Sequence, residues 1–403
     1  MFFGNVKFDS GDQIFVWAYH WFLSLFAAVP WLQFALAVLL MTVPVLLLFP
    51  TLMGLTTWVE RRVLARIQNR MGPNRVGPFG LLQFIADGIK MLIKEDIIPR
   101  AADKFLHTLA PILIVIPPFL VLTLLPVGRN MTVVVSDVGL ILFFALSGFG
   151  TLAIFLAGWS SRNKFSVIGG MRVVAQTISY ELPLILAALS AVFVAGSLSM
   201  VSIVESQGGG FLNILSWNVW TPWGFAGFVI FFIAGLAEIN RCPFDIPEAE
   251  SEIVAGHLTE YSGFKYALFF VAEYLSAFAI AGLATTLFLG GWNGPVIGEV
   301  QILPSWFWFL IKMYALVVVM IWIRGTLPRL RSDQLMSLAW KFLLPLTIVN
   351  LIGSAIYTLT AQAGPWMWVA GWLISAVLIG TTYRVLVQIV YTKDAKKREY
   401  RYA

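Results

Sequence analysis

The chain has 403 residues, of which 59% are apolar and only 12% charged, with a formal charge of +6. A water-soluble domain of that composition would aggregate, so the chain reads as an integral membrane protein, with its basic excess following membrane sidedness instead of nucleic acid. The lone Cys242 excludes an internal disulfide or CxxC metal site, and His20, His107 and His257 lie outside any HExxH spacing.

Residues 1–30 carry Lys7, Asp9 and Asp12 before an apolar run from Ile14 to Val29. That run is short for a span and its leading residues are not basic, so it reads as an interfacial or half-inserted helix and not a cleaved signal peptide. A tilted additional span is the alternative. The first full span is expected from about Trp31 to Thr57, broken by Pro44 and Pro50. A loop over 58–106 follows, with nine basic residues from Arg61 and Arg62 to Lys104. Its MGPNRVGPFG segment holds two Gly-Pro steps that exclude a helix. Beyond it Leu81, Leu82, Ile85, Ile89, Leu92 and Ile93 form one face and Gln83, Asp87, Lys90 and Lys94 the other. That spacing predicts an amphipathic helix lying in the headgroup plane.

Further spans are expected near 108–127, 138–159, 173–197, 223–240, 265–289, 304–324, 336–360 and 366–390. The fold class is therefore an all-α polytopic bundle of about nine transmembrane helices: an N-terminal extension (1–30), an eight-span core (31–360) and a C-terminal span with a basic tail (361–403). The loops 58–106, 160–172, 241–264 and 325–335 and the tail fall on one side, and with the flanking Lys265, Arg324 and Arg384 they hold 23 of the 27 lysines and arginines. By the positive-inside rule that side faces the cytoplasm, the C-terminus with it, and a non-spanning N-terminus faces the periplasm.

The acidic side chains are concentrated in one place. Between Ala237 and Gly263 lie Glu238, Asp245, Glu248, Glu250, Glu252 and Glu260, six of the chain's 21 carboxylates. Asp245 and Glu248 around Pro247 fit a helix N-cap, which accounts for two of them. The others have only Arg241 and Lys265 nearby in sequence. Clustered carboxylates raise one another's pKa and can take up and release protons near neutral pH. Inside the spans stand Glu181, Glu273, Lys312 and Lys341. The lysines read as side chains that snorkel to the interface, and the shorter glutamates as proton-relay positions in a hydrated seam. No phosphate loop or dinucleotide fingerprint occurs, so any redox chemistry draws its electrons from a partner.

Two long stretches, WVERRVLARIQNRMGPNRVGPFGLLQFIADGIKMLIKED and AEINRCPFDIPEAESEIVAGHLTEYSG, closely resemble the cytoplasmic signature loops of the family of quinone-chamber membrane subunits of respiratory complex I, the proton-translocating NADH:quinone oxidoreductase. The likeness extends through AGWSSRNKFSVIGGMRVVAQTISYE and TLPRLRSDQLMSLAWKFLLPL. It implies a component of that enzyme in a bacterial inner membrane, with no cofactor of its own and quinone as substrate. Iron-sulfur clusters, FMN and NADH would sit in partner subunits, and antiporter-like and small membrane-arm subunits would adjoin it. Carried onto this sequence, Glu60, Arg61, Arg62, Asp87, Arg241, Phe244, Asp245 and Glu248 would line the quinone chamber. Glu181, Glu238, Glu248, Glu250, Glu252, Glu260 and Glu273 would form the proton path. The membrane anchor of an ion-pumping hydrogenase is the related alternative; a secondary antiporter would show the inverted repeats that this chain lacks.

Overall fold

In the structure, a computed structural model, residues 24, 30–209, 214–246, 254–297, 300–301, 303–363 and 365–396 are described. The chain is a bundle of apolar helices. Among these residues eight are long and apolar enough to cross a membrane, and a ninth, Pro222–Glu238, is shorter at 17 residues. At 1.5 Å per residue that helix spans only about 25 Å, so it reaches the membrane faces with the turns that flank it. The extension before residue 30 lies almost wholly outside the described residues.

Helix α1 (Pro30–Ile67) is continuous through Pro44 and Pro50, where the sequence reads as broken. Both prolines remove a backbone donor, and beside Pro50 the Thr51 hydroxyl adds one by donating to the carbonyls of Leu47 and Leu48 at 2.9 and 2.7 Å. The helix also runs past Trp58 to Ile67, so the first charged residues of the expected loop are helical and Glu60 is carried inward on a helix face. The chain then turns through Gly80, held at φ 77°, where a Cβ would run into the carbonyl of Pro73. Helix α2 (Gln83–Ile93) is the amphipathic helix, with Ile89, Leu92 and Ile93 exposed on its apolar face.

Helices α3 (Lys104–Leu124) and α4 (Gly139–Ser160) pack side by side; Asp103 caps the first. Helix α5 (Lys164–Ala195) is capped by Asn163 and takes up Lys164 and Arg172 of the expected short loop, so Glu181 sits midway along it and not near its start. The short α6 (Met200–Ser206) leads to α7 (Pro222–Glu238), capped by Thr221. Helix α8 (Gly263–Phe288) is the most enclosed span and packs against α1, α2, α3, α7 and α9 (Ser305–Thr326). A two-residue antiparallel ladder, Val296–Ile297 with Val300–Gln301, joins α8 to α9. The final spans are α10 (Ser332–Ser337), which passes through a π-helical turn into α11 (Leu344–Ala363), and α12 (Pro365–Lys396), which lies against α11 and α7.

Lys312 is buried rather than snorkelling. Its ammonium donates to the carbonyls of Leu289, Gly291 and Asn293 at 2.7, 3.0 and 2.6 Å and lies over the Trp217 ring at 3.9 Å. These carbonyls belong to the turn that ends α8, where a helix exposes unsatisfied acceptors. Lys341, by contrast, is exposed.

Candidate functional site

Alternating helix direction brings the C-terminal parts of α1, α7 and α9 and the N-terminal part of α8 to one end of the bundle. Four charged side chains meet there. Glu60 of α1 pairs with Arg324 of α9, accepts from the Tyr274 hydroxyl of α8 at 2.8 Å and faces Arg241, just past α7, at 3.6 Å. Arg241 donates through Nε to Glu273 of α8 at 2.7 Å, and its guanidinium stacks over the Tyr274 ring at 4.1 Å. Glu60 is 3% exposed and Arg241 2%. Burial alone would disfavour the Arg241 cation, but Glu273 and Glu60 outweigh it and hold its pKa above the ordinary arginine value. Two acids and two guanidiniums leave the network neutral, which is what makes the burial of Glu60 and Arg241 tolerable.

The segment after α7 is fixed from two sides. Gln176 of α5 donates to the carbonyls of Ala237 and Phe244 at 2.8 and 2.7 Å, and Phe244 packs beside Tyr180. Arg329 binds Asp245 at 2.7 Å, and the Leu330 amide bonds the Pro243 carbonyl at 3.0 Å.

Next to the network lies a cavity of about 110 Å³ between α3, α4, α7 and α8. Glu273 stands in its wall with Glu238, Asn240, His257, Ser147 and Thr151. Glu238 Oε2, Asn240 Oδ1 and His257 Nδ1 are buried there without a hydrogen-bond partner. Buried polar atoms around a space of this size are what ordered water satisfies. Glu181 lies just beyond: a Cβ on Gly148 of α4 would stand 3.7 Å from its Oε1. Burial holds the His257 imidazole down to about 4, neutral at physiological pH.

Of the residues expected from the sequence, the fold therefore brings Glu60, Arg241 and Glu273 into one network, with Glu238 reached from it along the cavity and Glu181 within electrostatic reach of Glu238 but outside the lining. Phe244 and Asp245 stand beside it. Arg61, Arg62 and Asp87 form a separate group where α1 meets α2: Asp87 accepts from Arg61 at 2.5 Å and Arg62 lies over Trp58 at 4.8 Å. Glu260 is bound by Asn163 at the start of α5, at 2.7 Å, and is not in the cavity wall. Glu248, Glu250 and Glu252, and the N-cap expected around Pro247, lie outside the described residues.

The partners of the acids differ from those the sequence offers. Lys265 pairs with Asp96 at 2.8 Å, while Arg324 and Arg329 come from far along the chain. Sequence reasoning misses Arg324, Arg329, Tyr274, Asn240, Ser147 and the cavity position of His257. Arg324, as a charge at the end of a span, and Tyr274, beside Glu273, carry a usable signal. Among the described residues no group of three or more His, Cys, Asp and Glu side chains is arranged to hold a metal.

The family model for NADH dehydrogenase matches residues 23–355. The chain is 46% identical over 333 residues to the H subunit of the NADH-quinone oxidoreductase of Dehalococcoides mccartyi strain CBDB1, covering 83% of this chain and 88% of that protein. It is 43% identical to the H subunit numbered 2 of the Koribacter versatilis enzyme, over 80% of this chain and 97% of that protein. To the H subunit of Geobacillus thermodenitrificans it is 47% identical, over 77% and 92%. With this coverage and the helices described above, the chain belongs to the NADH dehydrogenase family, and its relatives there are named as H subunits of the NADH-quinone oxidoreductase.

Proposed function

We propose that this multi-pass membrane component of the NADH-quinone oxidoreductase forms the membrane-side wall of the quinone chamber and the entry of the path by which quinone reduction drives proton translocation. The observation that carries this reading is the continuity of the neutral Glu60–Arg241–Arg324–Glu273 network with a cavity walled by Glu273 and Glu238, the latter within electrostatic reach of Glu181. Reduction of a quinone to its quinol takes two electrons and two protons. The electrons come from iron-sulfur partners on the loop side, fed from NADH through FMN in the same partners. Negative charge arriving beside the network favours protonation of its acids, and protons drawn through the hydrated cavity restore the balance.

The outward apolar face of α2, with Ile89, Leu92 and Ile93, suits a door open to the bilayer, from which a lipid-borne quinone enters. Arg61, Arg62 and Asp87 stand at the corner of that door, Phe244 and Asp245 stand beside the network, and Glu248, Glu250, Glu252 and Glu260 are the further acids of the same stretch of chain assigned to the proton path. The basic loops and tail face the cytoplasm of a bacterial plasma membrane. The relatives' names favour quinone over a hydrogenase acceptor.

The test is NADH-driven quinone reduction and proton pumping in sealed membranes carrying Glu238→Gln or Glu181→Gln. Assembly is expected to stay intact while coupled turnover falls by about tenfold or more, in the range of a lost proton-transfer group. Full pumping in both variants rejects the path.

A further inference from the structure

One wall of the cavity is made by a residue that neither the acidic cluster nor the charge network explains. His257 stands on the one-turn segment Gly256–Leu258, which is pressed so closely on α5 that a Cβ on Gly169 would come within 2.5 Å of the Gly256 Cα. Ser166 donates to the His257 carbonyl at 3.4 Å, and the ring packs edge-on against Phe269 at 5.6 Å. The backbone therefore has little freedom to move the imidazole. At 7% exposure, with Leu258 and Phe269 as neighbours, an apolar side chain would fill the position without leaving a polar atom unpaired. Instead an imidazole stands in the wall it shares with Glu238, Asn240 and Glu273, and its Nδ1 is buried without a hydrogen-bond partner.

A neutral imidazole has one nitrogen that accepts and one that donates, so it can take a proton on one side and release another from the other side. We propose that His257 is a proton-transfer residue of this cavity, taking a proton from cavity water and returning one to it, in exchange between Glu273 and Glu238. One proton enters and one leaves, with no electron moved and no net charge retained. Burial keeps the resting ring neutral, so it passes protons without storing them.

This inference rests on the cavity being a proton path, and the test separates the two. In the intact enzyme, His257→Ala is expected to assemble and to slow coupled proton pumping by about tenfold or more. Millimolar imidazole added to the His257→Ala enzyme is expected to restore much of that rate, while pyrrole, equal in size but without a basic nitrogen, is not. His257→Phe, which keeps the packing on Phe269, is expected to assemble and stay slow. Unimpaired pumping by an assembled His257→Phe enzyme, or equal rescue by pyrrole and imidazole, overturns the proposal and leaves His257 as packing. If Glu238→Gln is impaired while the His257 variants are not, only the histidine's role falls; if Glu238→Gln is also unimpaired, the path falls with it.

Discussion

The bundle buries charge at both of its ends, and the two ends do so differently. At the far end Lys312 directs all three of its N–H donors at carbonyls, and Gln207 beside it is equally saturated. Gln207 donates to Ile203 and Thr286 and accepts from the Asn218 and Gly290 amides at 3.3 and 3.0 Å. At the loop end the charges balance, but Arg241, Glu238, Asn240 and His257 each keep atoms without a hydrogen bond. An ammonium whose three donors all meet carbonyls is fixed in position by them. A balanced group with spare donors and acceptors around a cavity has both room and reason to change its state.

That contrast can be broken, and the largest effect belongs to the satisfied end. Lys312→Met removes the ammonium donors to three buried carbonyls, each costing about 1–3 kcal/mol when left unmade. We expect the chain to be lost from the assembled enzyme, measured as its abundance in purified complex. Arg241→Met at the other end leaves Glu60 and Glu273 short of a buried countercharge, a loss of about 3–5 kcal/mol. Here the expected result is assembled enzyme of reduced stability with quinone reduction abolished, because the acids then neutralise themselves by binding protons. Equal behaviour of the two variants would erase the distinction between the ends.

Two smaller effects sharpen it. Tyr274→Phe deletes one hydrogen bond to the Glu60 carboxylate, worth about 1.5–3 kcal/mol, and should lower the melting temperature modestly while turnover changes shape with pH. His257 supplies an acid limit. Its folded value, about 4, lies below the ordinary 6.5, so the unfolded chain binds the extra proton first. The stability it contributes is complete above 6.5 and is lost as pH falls from there toward 4. His257→Phe should therefore flatten thermal stability across that window, read by melting curves at stepped pH.

Much of the bundle is legible in the sequence because apolar length is a local property: each span announces itself in its own stretch of chain. The end of α1 is not, because VERRVLARI alternates charge with apolar residues and reads as surface, although Glu60 is turned into the bundle and only 3% exposed. Lys312 misleads for a related reason, since its acceptors lie in a turn whose course over the helix end is a tertiary fact. Within the site, Glu60, Arg241 and Glu273 carry unusual charge for their surroundings and stand out. Their companions do not: Tyr274 is 214 residues from Glu60 and Arg324 is 264 residues from it, distances that no periodicity bridges.

The cancellation within the four-charge network has one more consequence. At rest, two acids facing two guanidiniums project almost no field beyond their own neighbourhood. A single extra electron or proton nearby leaves a monopole in place of a quadrupole, and a monopole fades far more slowly with distance. At about 10 Å and an effective dielectric constant of about 20 it is worth about 1.7 kcal/mol, or more than a tenfold shift in the occupancy of a distant proton site. The stillness of the unperturbed arrangement is what would let so small an event be heard along the helix bundle.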